Sequence, residues 1–167
     1  MPAKCGRPEE SVYTDDCIEI HLTFDPLRSR RYQIIVNSKG VVQDFKYTLN
    51  EGGADVPDMS WNCAGIVTGA KVDDKGWTVA VAIPLASVGG KSAIGTQFAA
   101  NIAREKYSGG DGVEADEMQA WSATQSGFSG GKYFGRLIMS DADASATWFN
   151  EQTTPPAPVL LKVDKNK

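Results

Sequence analysis

The sequence predicts an all-β protein, an antiparallel β-sandwich of jelly-roll type, and three observations carry that expectation. Wherever the chain is regular, its large apolar residues fall on alternate positions, the period of a strand with one buried face. Two glycine-ended turns, Asn37-Ser38-Lys39-Gly40 and Asp73-Asp74-Lys75-Gly76, sit between such runs and read as hairpins. Helix signal is confined to Leu85-Ala86-Ser87-Val88, one turn after Pro84 that Gly89-Gly90 stops.

The strands are expected in this order. Residues 17–24 place Ile18, Ile20 and Leu22 inward, with Cys17, Glu19 and His21 outward. Residues 31–37 and 41–49 flank the first hairpin turn, and 65–72 and 77–83 flank the second, with Trp77 in the core. Residues 98–105 and 133–139 complete the set. Short strands separated by glycine turns favour a sandwich over any α/β plan. The irregular stretches 50–63 and 108–131 are rich in Gly, Asp and Ser and are expected to be functional loops.

A chain of 167 residues has the length of one domain. Alternation ends after Met139, and Thr153-Thr154-Pro155-Pro156-Ala157-Pro158 has linker composition, so residues 1–140 are assigned to the sandwich and 141–167 to a linker or C-terminal tail. With 17 basic against 21 acidic residues the net charge is -4, which argues against a nucleic-acid partner. No apolar run approaches the ~18 residues of a membrane span. The first residues, MPAKCGRPEES, lack an apolar signal core, so no secretory signal is expected in the chain as given. Three cysteines without CxxC spacing and one histidine offer no zinc cluster; Cys5 and Cys17 pair only if their segments run side by side.

Carboxylates are plentiful but unplaced: Asp15, Asp16, Glu19, Glu105, Glu114, Asp116 and Glu117 are the candidates a hydrolase would need across a cleft. Most acids in a β protein are solvated, a glycine-rich loop is a poor platform for fixed catalytic geometry, and no nucleophile-elbow motif accompanies His21. Catalysis is therefore not expected, and no cofactor is called for. The acids Asp111, Asp116 and Glu117 are candidate oxygen ligands for a structural calcium ion, although no EF-hand pattern is present. Aromatics outside the alternating runs say more. Saccharide sites pair flat aromatic faces with a few fixed polar groups, and Tyr13, Trp61, Trp121 and Phe128 are placed for such a role.

In order and spacing, DDCIEIHL (15–22), YQIIVNSKG (32–40), VDDKGWTVAVAIPL (72–85), NIARE (101–105), AWSAT (120–124) and KYFGRLIM (132–139) resemble the family 9 carbohydrate-binding modules. The resemblance implies a sandwich attached to, or acting beside, polysaccharide-degrading enzymes. Members are similar in clamping a terminal sugar between two aromatic side chains, which places Tyr13 and Phe128 in that role by position. Glu19 falls on the strand acid that accepts from sugar hydroxyls, Asn37 on a polar position of the YQxxVN strand, and Trp121 on the tryptophan of the AWS motif.

Tyr and Phe stand where well-studied members carry tryptophan, and Ile35 and Ala103 where binding members place polar side chains, which implies weaker or altered binding. Such modules also carry several strands before the DDCIEI string, where this chain has a short segment. The expected function is non-catalytic binding of an oligo- or polysaccharide, in support of carbohydrate catabolism, with an appended or neighbouring glycoside hydrolase. An extracellular, cell-surface or periplasmic location goes with it. The alternatives are a structural interaction domain without a sugar site, and a haem-binding electron-transfer domain of related fold with His21 and Met59 or Met118 as ligands.

Overall fold

A computed structural model describes residues 11–107, 115, 117–124 and 127–141 and the backbone of 159–162. It is all-β, and among the described residues the only helical elements are single 3₁₀ turns at Val12–Thr14, Leu85–Val88 and Gly131–Tyr133. The seven expected strands are all present: β1 (Cys17–Thr23), β2 (Arg30–Asn37), β3 (Val42–Leu49), β5 (Val67–Asp73), β6 (Gly76–Ala82), β7 (Gln97–Lys106) and β9 (Gly135–Ser140). Three more appear: β4 (Asp55–Asp58), β8 (Glu117–Ala120) and β10 (Val159–Lys162). The expected hairpin turns end at Gly40 (φ +78°) and Gly76 (φ +147°), conformations open to glycine without strain.

The large sheet runs β10-β9-β7-β1-β2-β3-β4, with β8 paired to the far half of β7, and β5–β6 forms a separate two-stranded sheet. All pairs are antiparallel except β10 on β9. That last pair differs from the expectation of a tail. The apolar run Val159-Leu160-Leu161 pairs along the outer edge of β9, so part of the stretch assigned to linker is a strand of the sheet.

The main core lies between one face of the large sheet and the β5–β6 hairpin. Leu22, Tyr32, Ile34, Val36 and Leu137 are buried there, and Val79, Val81 and Ile83 of the hairpin pack onto them. The opposite face corrects the sequence reading. Cys17, Glu19 and His21 alternate away from the core as expected, yet they are 0%, 5% and 2% exposed. Two irregular segments cover them. The turn Val12–Thr14 packs Val12 against Cys17, Ile35 and Phe45. Residues 121–124 and 127–134 supply the second cover: Trp121 N–H donates to the Ile102 carbonyl (2.8 Å), and Ser122 N–H to Asn101 Oδ1 (2.8 Å), while Asn101 Nδ2 donates back to the Ser122 carbonyl (3.2 Å). Phe134 then packs on the His21 ring, with centroids 5.8 Å apart.

Candidate functional site

One part of this polar face stays open. At the Cys17 end of β1 a cleft of about 300 Å³ opens between the Val12–Thr14 turn, β3 and β4. Its apolar walls are Tyr13, Phe45, Tyr47, Pro57 and Met59, and its polar groups are Glu19, Gln33 and Glu105. The register explains the convergence. Glu19 lies opposite Ile35 on β2 and Ala103 on β7, while Cys17 lies opposite Glu105, so the two acids are diagonal neighbours on one face. Lys46, Arg104 and Lys106 occupy the intervening positions of β3 and β7 and point to the other face by the pleat.

Glu19 is held by a chain of buried hydrogen bonds across three strands. Tyr47 Oη donates to Gln33 Oε1 (2.7 Å), Gln33 Nε2 donates to Glu19 Oε2 (3.0 Å), and His21 Nε2 meets the same Oε2 at 2.8 Å. Burial, and then the Glu19 charge, push the Tyr47 hydroxyl up from its ordinary pKa, which keeps it a donor. Glu105 is tied more loosely. The Tyr107 hydroxyl is shared between the Tyr13 carbonyl (2.7 Å) and Glu105 Oε2 (3.1 Å), and Tyr107 N–H donates to Asp16 Oδ1 (2.6 Å). One side chain thus fixes both the Tyr13 turn and the second acid.

Charge in the cleft is one-sided. Burial, with the Glu19 charge second, raises the Glu105 carboxyl above its ordinary pKa, and the Tyr107 hydrogen bond only partly offsets this. Burial also pushes the Cys17 thiol up, reinforced by Glu105, Glu19, Asp15 and Asp16, so it stays protonated. The Cys17 sulfur and one oxygen each of Glu19 and Glu105 lie within 4.8 Å of one another, a set able to surround a cation.

The expected site residues divide accordingly. Tyr13, 46% exposed at the rim, and Glu19, on the floor, belong to the cleft. Asn37 is fully buried: its Oδ1 accepts from Lys39 and Val41 N–H (both 3.0 Å) and its Nδ2 donates to Asp15 (3.2 Å), so it serves the hairpin turn. Trp121 covers Gly135, where a Cβ would come within 2.6 Å of its ring. Phe128 is half-buried in the segment after β8 and is not among the cleft's lining residues. Ile35, one of the departures noted in the sequence, lines the cleft as an apolar patch.

Of the calcium candidates, Asp111 and Asp116 lie outside the described residues. Glu117 sits on β8 with carboxylate oxygens 3.8 Å from Arg104 and from Lys106. His21 spends Nε2 on Glu19 and packs its ring on Phe134, while Met59 and Met118 are exposed, so these groups do not form a haem ligand pair. Cys17 and Cys63 are buried free thiols, and Cys5 lies outside the described residues. Gln33, Tyr47 and Tyr107 were missed as site residues, and Glu105 was one unplaced acid among several. Each looks like an ordinary polar residue in or beside a strand until the register brings them together.

Among the described residues no helix is long and apolar enough to cross a membrane. The comparison with curated proteins finds no match. Among solved structures, a crystal structure described as a "putative carbohydrate-binding protein" from Bacteroides uniformis is similar, with a TM-score of 0.62 and 16% identity over 81% of this chain. The chain spans 66% of that protein's length, and at this identity the likeness shows the fold alone. Residues 4–142 match the family model described as "Carbohydrate family 9 binding domain-like", and the chain belongs to that family.

Proposed function

We propose that the chain is a non-catalytic sugar-binding module that seats one sugar unit of an oligo- or polysaccharide in the Tyr13 cleft. The observation that carries this reading is Glu19: its Oε2 is fixed by Gln33 and His21 at the floor of an open, aromatic-walled cleft. Every hydrogen bond that the described residues give Glu19 goes to Oε2, which reserves Oε1 for ligand hydroxyls. Tyr13 supplies one apolar face for the ring; the family analogy gives the second to Phe128, which would have to close onto the sugar from outside the cleft's lining. Asn37 and Trp121 act at one remove, holding the hairpin turn and the covering segment. In a longer polypeptide, or beside an extracellular glycoside hydrolase, such a module raises the effective concentration of enzyme on its polysaccharide.

Isothermal titration calorimetry against monosaccharides and soluble glycan fragments tests this reading. A ring face contributes on the order of 1 kcal/mol and a charged hydrogen bond ~1.5–3 kcal/mol. Affinity should therefore fall about fivefold to tenfold in Tyr13→Ala and Phe128→Ala, and at least about tenfold in Glu19→Gln. A folded protein that binds nothing in a broad glycan panel at about millimolar concentration would give first place to a structural interaction domain, with Ile35 and Ala103 having erased the site.

A further inference from the structure

We propose that the cleft is built for a cationic sugar, an unacetylated amino sugar whose ammonium group sits between Glu19 and Glu105. The inference rests on the sugar-binding reading above and names the class of sugar. Both acids are more than nine-tenths buried, at 5% and 8% exposure, yet both line an open cleft. Their hydrogen bonds from the described residues go to Oε2 in each case, which leaves each carboxylate an oxygen that takes no hydrogen bond from the described residues. Among the described residues no Lys or Arg lines the cleft, and the bases on β3 and β7 occupy positions of opposite parity. The bases near Glu19 on this face are both committed: His21 to Glu19 Oε2, and Arg31, two positions from Gln33 on β2, to Asp55 and the Arg28 carbonyl.

Two buried carboxylates this close, with no positive charge between them, are a poor environment for neutral hydroxyls alone. Each hydroxyl donates one hydrogen bond but leaves the repulsion of the acids in place, whereas an ammonium ion relieves it and donates to both. The spacing suits that bridge. Two oxygens each about 2.8 Å from a tetrahedral nitrogen stand roughly 4.6 Å apart, and the acid pair offers oxygens within 4.8 Å of each other. A divalent metal ion is the competing cation. It would recruit Cys17 as third ligand only by removing a proton from a fully buried thiol ringed by acids, which disfavours it.

The test is calorimetry of the unmodified protein with glucosamine, glucose and N-acetylglucosamine, and with their β-1,4-linked disaccharides, in chelator-treated buffer. The glucosamine series should bind at least about tenfold more tightly than either neutral series. The preference should shrink toward unity in Glu105→Gln, with circular dichroism confirming the fold. Equal affinity for charged and neutral sugars overturns the amino-sugar inference and leaves the sugar-binding reading intact. Absence of binding across all three series overturns the amino-sugar inference, and the sugar-binding reading falls with it only if the broad glycan panel is silent as well. A preference that appears only when calcium or zinc is restored assigns the acid pair to a metal ion and also overturns it. Because the ligand series uses the unmodified chain, a Glu105→Gln variant that fails to fold does not block the decision.

Discussion

The two faces of the large sheet are both buried, but by different physics. Toward the β5–β6 hairpin, burial is apolar: Leu22, Tyr32, Ile34 and Val36 meet Val79, Val81 and Ile83. On the other side, Glu19, His21, Gln33, Asn37, Asn101 and Glu105 are buried as polar groups. One face is driven by removal of apolar surface from water; the other is tolerable only because its groups satisfy one another. The apolar face can lose a contact and remain the same kind of environment. The polar face cannot lose one partner without stranding another, and that is where the chain places its open cleft.

The sharpest way to break this comparison begins on the apolar side. Ile34 is fully buried in the main core, so Ile34→Ala should cost about 2–5 kcal/mol, read as a shift in denaturant midpoint. Sugar affinity of the folded fraction should not change, because Ile34 points away from the cleft face. A loss of affinity matching the loss of stability would mean that the two faces are not separable.

On the polar side the expected loss is smaller but falls on two measurements at once. His21→Ala removes a partner from Glu19 Oε2 and leaves Gln33 alone to hold it, which should cost about 1–3 kcal/mol. Sugar affinity should drop several-fold as well, since the carboxylate loses part of its fixed orientation. If stability falls and affinity does not, the His21 contact is packing alone and Glu19 is positioned by Gln33.

The asymmetry between the faces also explains what could be read from the sequence. Alternation located all seven strands of the notable periodic runs and the set of residues on each face, because side-chain period is a local property. It did not say that the Cys17, Glu19 and His21 face is buried, because the cover comes from Val12, Ser122 and Phe134, which belong to segments with no strand period. Strands β4 and β8 were missed for a related reason. Each has four residues, β4 carries Pro57 at a sheet edge, and both sit within stretches of loop composition. In the cleft, Tyr13 and Glu19 were legible from their neighbouring strings. Gln33, Tyr47 and Glu105 were not, because only cross-strand register makes them neighbours of Glu19.

The finest comparison lies within the polar face, between an acid with donors and an acid short of them. Glu19 Oε2 receives two close polar partners, whereas Glu105 has only a shared, 3.1 Å contact from Tyr107. Glu105 is surrounded by Glu19 and Cys17 on β1, Tyr107 beyond β7, and the nearby Asp15 and Asp16, with no basic group among them. Burial and the Glu19 charge hold its folded-state pKa above the ordinary glutamate value. A carboxyl raised in this way favours the fold while protonated, fully so below its unfolded pKa, and that contribution is lost as pH rises through the folded pKa. Glu105→Gln keeps the neutral form at every pH. Its stability relative to the unmodified protein should therefore grow across that window and level off above it, as measured by denaturant midpoints from about pH 4 to about pH 8. Parallel curves for the two proteins would mean that Glu105 ionises without cost, and the cleft would then lack the uncompensated negative charge that distinguishes it from the rest of the buried polar face.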